Sequence, residues 1–187
     1  FTVYGPPNCA VVGVSATNPD DFAILLLADF KEGAKLYVTD DGVRADGSLR
    51  RSEGIKSVVF SSDTAHGTVL TAADFTSNEE GSLALSTTAD QIIVFSGTPE
   101  APTYLCALSN ADGWQTDATS SSTSALPPGL VDGVTAIGLP KKNNYVYAGT
   151  KTGTAAELQR AIHNQINWQG DNSQQFPMPN GFTVYGP

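Results

Sequence analysis

The sequence predicts a mainly β protein, a two-layer antiparallel β-sandwich of about ten strands with one short C-terminal α-helix. Short segments rich in β-branched and aromatic residues recur along the chain, and turn-forming Gly, Pro, Asn and Asp separate them. One stretch near the C-terminus has helical spacing instead. A chain of 187 residues can bury about 70% of its unfolded surface in one core, so we expect a single domain over residues 1–187.

The predicted strands follow one another between residues 10 and 148. They are residues 10–16, 22–30, 36–39, 57–61, 68–71, 82–86, 91–96, 103–108, 135–139 and 145–148. The segment LYVT alternates apolar and polar residues, which is typical of a strand with one face on the core. The segments AILLL and QIIVF are apolar throughout, so we expect them in the middle of the sheets. Ten short strands with turn residues between them indicate a sandwich or a barrel.

The helix is predicted over residues 154–168, where Thr154 and Glu157 have the spacing of a capping box. Its apolar face consists of Leu158, Ile162 and Ile166. We expect this face to seal one end or flank of the sandwich, with His163 on the solvated side and Gly170 helping to end the helix.

Residues 115–128 form a low-complexity stretch rich in Ser and Thr, which predicts an exposed flexible loop or, alternatively, a site of O-glycosylation.

Composition and charge limit the classes of partner. Only 16% of the residues are charged, the formal net charge is −9, and Gly, Ser and Thr are plentiful, as in many secreted β-proteins. The ten Lys and Arg residues are scattered, so nucleic acid is not an expected partner. No apolar run approaches the ~18 residues of a membrane span. We therefore expect an extracellular or cell-surface location.

The two cysteines, Cys9 and Cys106, each lie in an apolar, strand-like stretch. They are either buried free thiols or the two halves of one disulfide, which an oxidising compartment would permit. Two histidines and the lack of a Cys-x-x-Cys pair make a zinc site improbable, and no other metal or cofactor is expected from these residues.

The sequence contains few candidates for catalysis. His66 follows Ser61, Ser62 and Asp63 closely, but the members of a catalytic triad meet through the fold, and such a cluster before a glycine is typical of a turn. We therefore expect a protein that is not an enzyme.

Paired carboxylates in predicted loops are either solvated turns or a Ca²⁺ site formed at one end of the sandwich. These residues are Asp20, Asp21, Asp40, Asp41, Asp46, Glu79 and Glu80. The spacing DDGVRADG does not match the calcium-loop pattern, so solvated turns are the favoured interpretation.

The chain starts and ends with the same hexapeptide, FTVYGP, at residues 1–6 and 182–187. The two copies begin 181 residues apart (182 minus 1), which predicts one unit of a tandem array with overlapping terminal segments. A cloning remnant and an internal duplication are the alternatives. FTVY alternates as a strand does, and Gly-Pro ends it. The predicted assembly residues are Phe1, Thr2, Val3, Tyr4, Phe182, Thr183, Val184 and Tyr185.

An aromatic strand at the margin of a domain can add to the open edge of a neighbouring sheet. A contact between a terminus and an edge does not close on itself unless its rotation forms a ring, so open filaments are its expected outcome. The sequence therefore predicts a structural module that assembles with copies of itself into an extracellular fibre, sheath or shell. The alternative is a module that binds carbohydrate or another surface polymer. Its stacking platforms would come from aromatic residues that are otherwise core residues, namely Trp114, Trp168, Tyr104, Tyr145 and Tyr147.

Several blocks of the chain together resemble a lamin-tail-like β-sandwich repeat module of large secreted bacterial and algal multidomain proteins. The blocks are NPDDFAILLLADFKEGAKLYVTDDG, SEG, GTVLT, LSTTADQIIVFSGT, LPPGLVDGVTAI and NYVYAGTKTGTAAELQRAIHNQINW. The resemblance covers about residues 10–170 and implies a β-sandwich with no catalytic residues to carry over. The family pattern has an aromatic residue soon after TDDG, where this chain has Val43 and Arg44. A subunit of an algal pyrenoid-shell-like sheet is a further alternative.

Overall fold

The computed structural model of the chain describes residues 8–186. Over these residues the chain forms strands, one eight-residue α-helix and two 3₁₀ turns, at Ala72–Asp74 and Gln165–Asn167. The strands and the helix are β1 (Cys9–Ser15), β2 (Asp21–Leu26), β3 (Lys35–Thr39), β4 (Ile55–Val59), β5 (Val69–Thr71), β6 (Ser77–Glu80), β7 (Gln91–Thr98), β8 (Ala101–Ser109), β9 (Ala136–Gly138), β10 (Asn144–Tyr147), β11 (Thr152–Thr154), α1 (Ala155–Ile162), β12 (Trp168–Asp171) and β13 (Thr183–Tyr185).

Most of the strands form two sheets. One has the order β12-β10-β1-β2-β5 and the other the order β6-β4-β3-β7-β8-β9. The predicted mainly β sandwich with one short helix is therefore confirmed. The pairing departs from a purely antiparallel sandwich at two places, because β8 pairs with β9 in parallel and β11 pairs with β13 in parallel. The β11-β13 pair stands apart from both sheets.

The main core lies between the two sheets and follows the alternation of the strands. From β2 it takes Phe22, Ile24 and Leu26, which are fully or almost fully buried, and from β7 it takes Ile92 and Val94. Period-two alternation turns every second residue of a strand toward the same face, so these side chains share one layer.

A disulfide links the two sheets through this core. It joins Cys9 of β1 to Cys106 of β8, whose Cα atoms are 5.9 Å apart. Both residues are completely buried. Of the two states left open by the sequence, the structure has the bonded one.

The outer faces of both sheets are also covered, which explains why β2 and β7 are apolar throughout. On the six-stranded sheet, Tyr37 stacks on Phe95 with ring centroids 4.9 Å apart, and Leu49 and Leu130 from loops pack over them. On the five-stranded sheet, helix α1 and the C-terminal strand pack over the outer side chains of β1 and β2. A strand buried on both faces does not need polar residues at alternate positions.

The helix begins as predicted and ends early. The side chain of Thr154 accepts a hydrogen bond from the Glu157 amide, and the Glu157 carboxylate accepts one from the Thr154 amide, which confirms the capping box. Leu158 and Ile162 are completely buried. The prediction for Ile166 was wrong, because α1 ends at Ile162 and leaves Ile166 84% exposed.

Two further predictions at this end of the helix were wrong. His163 is 4% exposed rather than solvated, since it caps the helix and its Nδ1 lies 2.8 Å from the carbonyl oxygen of Gln159. Its burial lowers the pKa of the imidazole to about 4. Gly170 lies inside β12, so it does not end the helix.

Nine of the ten predicted strands overlap observed ones, and residues 82–86 do not. That segment is a loop held by its backbone amides: Ala84 donates to Asp40 (2.7 Å) and Leu85 to Asp20 (2.7 Å). The strand at this place is instead β6, Ser77–Glu80, whose sequence SNEE has no apolar pattern.

The stretch 115–128 lies outside the named strands and helices, but part of it is buried against the protein rather than exposed. Ser124 is 2% exposed and its hydroxyl accepts a hydrogen bond from the Val43 amide (2.9 Å), while the Ala125 amide donates to the Val43 carbonyl (2.8 Å). Ala118 is buried as well. These contacts cover part of the outer face of the six-stranded sheet.

Candidate functional site

The C-terminal copy of the hexapeptide forms a strand on the protein itself. In β13, Thr183, Val184 and Tyr185 lie opposite Thr152, Gly153 and Thr154 of β11 in a parallel ladder. The Thr183 amide donates to the carbonyl oxygen of Lys151 (2.8 Å) just before β11 begins. The predicted strand character of this segment is therefore present, and its partner in the described part of the chain is β11.

The side chains of this strand alternate between the protein and solvent. Phe182 is only 8% exposed and Val184 packs against the apolar cluster under α1, whereas Tyr185 is 54% exposed. Gly181, just before the strand, has a φ of +73°, a conformation that glycine adopts without strain. This turn lets the chain enter the ladder with Phe182 pointing inward.

The Phe182 ring sits between an aromatic ring and a cation. It stacks on Tyr147 with centroids 6.2 Å apart and an interplanar angle of 24°, and the Lys151 ammonium lies 5.7 Å from its centre. Tyr147 is held in place because its hydroxyl donates to the carbonyl oxygen of Thr150 (2.8 Å). Burial raises the pKa of the Tyr147 hydroxyl, so it stays a neutral donor. We call the site formed by Tyr147, Lys151 and β11 the strand groove.

The floor and wall of the strand groove come from distant parts of the chain. Leu158 and Ile162 of α1 and the outer side chains of β1 and β2 form an apolar floor. On one side, a Cβ atom placed on Gly67 would lie 3.3 Å from the Phe182 carbonyl oxygen and 3.7 Å from Val184. The backbone before β5 therefore lies close against the docked strand.

The capping box fixes one end of the groove. Thr154 is both the last residue of β11 and the N-cap of α1, so the ladder leads directly into the helix. The hydrogen bonds from Thr154 lower the pKa of the Glu157 carboxyl and keep it charged at the helix N-terminus. The edge that β13 occupies is thus rigidly attached to the apolar floor.

The N-terminal copy, Phe1, Thr2, Val3 and Tyr4, lies outside the described residues. Sequence reasoning identified Phe182, Thr183, Val184 and Tyr185, and it named Tyr147 only as a core or glycan-stacking residue. It missed Lys151, because the segment GTKTGT carries no strand pattern.

The carboxylates expected to meet at a Ca²⁺ site mostly accept hydrogen bonds from nearby backbone amides or pair with cations. Asp40 accepts from Gly54 (2.8 Å), and Asp41 accepts from Ser52 (3.0 Å). Asp21 and Asp46 likewise accept hydrogen bonds from backbone amides. Glu79 forms an ion pair with Lys35, and Glu80 forms one with Arg51. In residues 8–186, no group of three or more His, Cys, Asp or Glu side chains is arranged to hold a metal ion.

Three acidic groups, of which only Asp40 belongs to this set, are nevertheless unusual because of their surroundings. Burial, aided by neighbouring carboxylates, raises the pKa of Asp40 to about 6, of Glu53 to about 8 and of Asp90 to about 9. Glu53 Oε2 is buried with no hydrogen-bond partner among the described residues. This cluster lies at the ends of β3 and β7, away from the strand groove, and it bears on stability.

His66 does not meet the neighbouring serines as a catalytic group would. The His66 amide donates a hydrogen bond to the Asp29 carboxylate (2.9 Å), and the ring Nδ1 lies 2.6 Å from the same oxygen. The amide hydrogen bond first, and then the ring contact, lower the pKa of the Asp29 carboxyl. Asp63 pairs with Lys31 at 2.6 Å instead. The expected turn is what the structure contains, with Gly67 following at a φ of +87°.

The aromatic residues considered for glycan stacking fall into two groups. Tyr104, Tyr145 and Tyr147 are buried core residues. Trp114 and Trp168 are half-buried and line two adjoining open cavities of about 420 and 300 Å³, which share Leu139, Pro140 and Gln165.

Within residues 8–186, no helix has the length and apolar character needed to cross a membrane. Comparison of the chain with models of protein families, with curated proteins and with solved structures finds no match.

Proposed function

We propose that this protein is a non-enzymatic structural module that assembles with copies of itself into an extracellular fibre, sheath or shell by terminal strand addition. The observation that carries the proposal is the position of the C-terminal hexapeptide. β13 is an added strand outside both sheets, anchored by the 8%-exposed ring of Phe182, and the chain starts with the same six residues.

Strand addition supplies both affinity and register. Main-chain hydrogen bonds along β11 provide affinity, and the alternate side chains Phe182 and Val184 fix which residues lie opposite each other. A second hexapeptide at the other end of the chain provides a donor for another copy. A donor at one end and an acceptor groove elsewhere form a heterologous contact, which propagates into an open polymer unless its rotation closes a ring.

The chemistry of the chain fits an extracellular assembly. A disulfide between the two sheets persists in oxidising compartments. The net charge of −9 makes copies repel one another at low ionic strength, and salt or Ca²⁺ screens this repulsion. Assembly is therefore expected to increase with salt concentration.

The test compares the full chain with a chain lacking residues 1–6. Light scattering across a salt series and negative-stain electron microscopy should show filaments or sheets for the full chain and mostly monomers for the shortened one. Circular dichroism and thermal unfolding should be the same for both, since the deletion removes none of the residues that form the two described sheets. Dispersed monomers of the full chain at every salt concentration would contradict the proposal.

Matched substitutions distinguish the effect of the strand's side chains from the effect of shortening the chain. Phe1→Ser with Val3→Ser should weaken assembly as the deletion does, whereas Thr2→Ser, at a position equivalent to the exposed Thr183, should not. Microscopy also separates a filament from a flat sheet of the pyrenoid-shell type, because the two give different projected lattices.

A second candidate function is the binding of a carbohydrate or another surface polymer. The observation in its favour is the pair of adjoining cavities with Trp114 at one end and Trp168 at the other. Exposed Asp112 and Gln165 provide polar groups beside the tryptophans. Sugars combine an apolar face with hydroxyl groups, so such a groove suits them.

A glycan array tests this second function. Binding that falls at least tenfold in Trp114→Ala but persists in Trp114→Phe would support a stacking role. An array without hits for the folded full chain would exclude glycans as the ligand.

A further inference from the structure

We infer that the strand groove is an acceptor site for the N-terminal segment of a second copy of this chain, with Phe1 in the pocket that Phe182 occupies. This inference rests on the proposed function and specifies the site and the occupant. Residues 1–4 are the one segment outside the described residues whose sequence is identical to that of the docked strand.

Each contact of the docked strand can be repeated by the other hexapeptide. The ring of Phe1 would stack on Tyr147 below the Lys151 ammonium, as Phe182 does. The Thr2 amide would donate to the Lys151 carbonyl oxygen, and Val3 would lie on the apolar floor. The two segments present the same six side chains in the same order.

The groove accepts one strand at a time. Gly67 lies against the docked backbone on one side, where even an added methyl group would be 3.3 Å from the Phe182 carbonyl oxygen. The N-terminal segment of a second copy must therefore displace the resident Phe182–Tyr185 strand. In a tandem array the resident strand would itself be the first strand of the following unit. Separate copies and covalently linked units would therefore use the same contact with the strand groove.

The length of the following segment limits the distance between neighbouring copies. β1 begins at Cys9, and Gly5, Pro6, Pro7 and Asn8 lie between it and Tyr4. Five Cα-to-Cα steps span at most about 18 Å. A copy that donates its N-terminal strand therefore brings its own β1 close to the acceptor, and two prolines stiffen the connection.

Cysteine cross-linking tests the occupant directly. Thr183 lies opposite Thr152 in the ladder, both side chains are exposed, and Thr2 is the equivalent of Thr183. In the full chain with Thr2→Cys and Thr152→Cys, mild oxidation of assembled material should produce dimers and higher species on a non-reducing gel. The native cysteines are fully buried and bonded, so they should not interfere.

Two control variants show whether a cross-link on the gel reports this particular contact. Thr183→Cys with Thr152→Cys should give a cross-link within one chain, which reports the resident strand in the groove. Thr2→Cys with Thr98→Cys places the second cysteine on an exposed hairpin of the six-stranded sheet and should give no more dimer than either single variant.

Competition with a free peptide provides a second measurement on the same variant. An excess of the synthetic peptide FTVYGP should reduce the yield of the Thr2–Thr152 cross-link at least fivefold, and the peptide with Ala in place of Phe should not. Assembled chains without this cross-link, or a cross-link that neither peptide reduces, would overturn the inference.

The outcomes for the site and for the function are separable. If assembly of the full chain depends on residues 1–6 but the cross-link does not form, the N-terminal strand binds another edge and the inference is wrong while the proposed function stands. If the free FTVYGP peptide cross-links through a cysteine at its second position to Thr152→Cys but the chain never assembles, the groove is an acceptor and the proposed function is wrong.

Discussion

Removing the disulfide between the two sheets should destabilise the protein strongly. Cys9 and Cys106 are 97 residues apart in sequence and join β1 to β8. The loop-closure model, 2.1 + 1.5R ln n cal/mol/K, gives about 4.7 kcal/mol at 25 °C for a loop of this length. An unfolding entropy of about 2.1 cal/mol/K per residue amounts to about 0.4 kcal/mol/K here, so the melting temperature should fall by about 12 °C.

The assay is equilibrium urea unfolding of Cys9→Ala/Cys106→Ala beside the oxidised wild type. Wild type that has been unfolded, reduced and refolded with reductant is the matched control, because it lacks the bond but keeps both sulfur atoms in the core. The double variant and the reduced wild type should both be less stable than the oxidised protein. Free energies of unfolding within about 1 kcal/mol of the oxidised protein in both cases would refute the entropic reasoning.

Three further predictions concern other parts of the fold. Since burial raises the pKa of Glu53 to about 8 and of Asp90 to about 9, the folded chain holds protons that the unfolded chain releases near pH 4. The free energy of unfolding should thus fall as pH rises from about 4 to about 9, and Glu53→Gln should flatten this fall whereas Glu32→Gln, at an exposed position, should not. Thr154→Ala should lower the free energy of unfolding, measured in urea, by about 1 kcal/mol because the N-cap hydrogen bond is lost. Thr154→Ser keeps a capping hydroxyl and should retain most of this stability. Equal losses in the two variants would contradict the capping role. Phe182→Ala should undock β13 and make hydrogen exchange of the Thr183 amide at least tenfold faster, with unchanged exchange in β7; an unchanged Thr183 amide would show that the ring does not anchor the strand.

Local patterns predicted the elements whose formation depends on local chemistry. Alternation and apolar runs identified β1, β2, β3 and β7, and the Thr154–Glu157 spacing identified the start of α1. These signals work because side-chain period and capping are properties of neighbouring residues.

The errors fall where distant parts of the chain decide the outcome. β6 has the sequence SNEE, and it is a strand because β4 provides a ladder beside it. The residues after Ile162 retain helical spacing, yet β10 pairs with Trp168–Asp171 and draws the chain out of the helix. The polar stretch 115–128 is partly buried because its Ser124 hydroxyl and its Ala125 amide form hydrogen bonds with the backbone of Val43, which is far away in sequence.

In the candidate site, the docked strand could be predicted from local sequence, but the residues that bind it could not. The repeated hexapeptide and its alternation indicated a strand at residues 182–185, which the structure contains. Its partner could not be predicted, since Thr152–Thr154 is a three-residue strand with a central glycine and no apolar residue. The pocket for Phe182 depends on Tyr147, whose own position depends on the sheet beneath it.

Cryo-electron microscopy of the assembled full chain is the most direct test of assembly by terminal strand addition. The map should show a strand parallel to β11, with an aromatic side chain stacked on Tyr147, whose backbone continues through Gly-Pro-Pro into β1 of a neighbouring copy. A map of assembled material in which the strand beside β11 leads back to Gly181 of the same copy, with neighbours touching elsewhere, would contradict it.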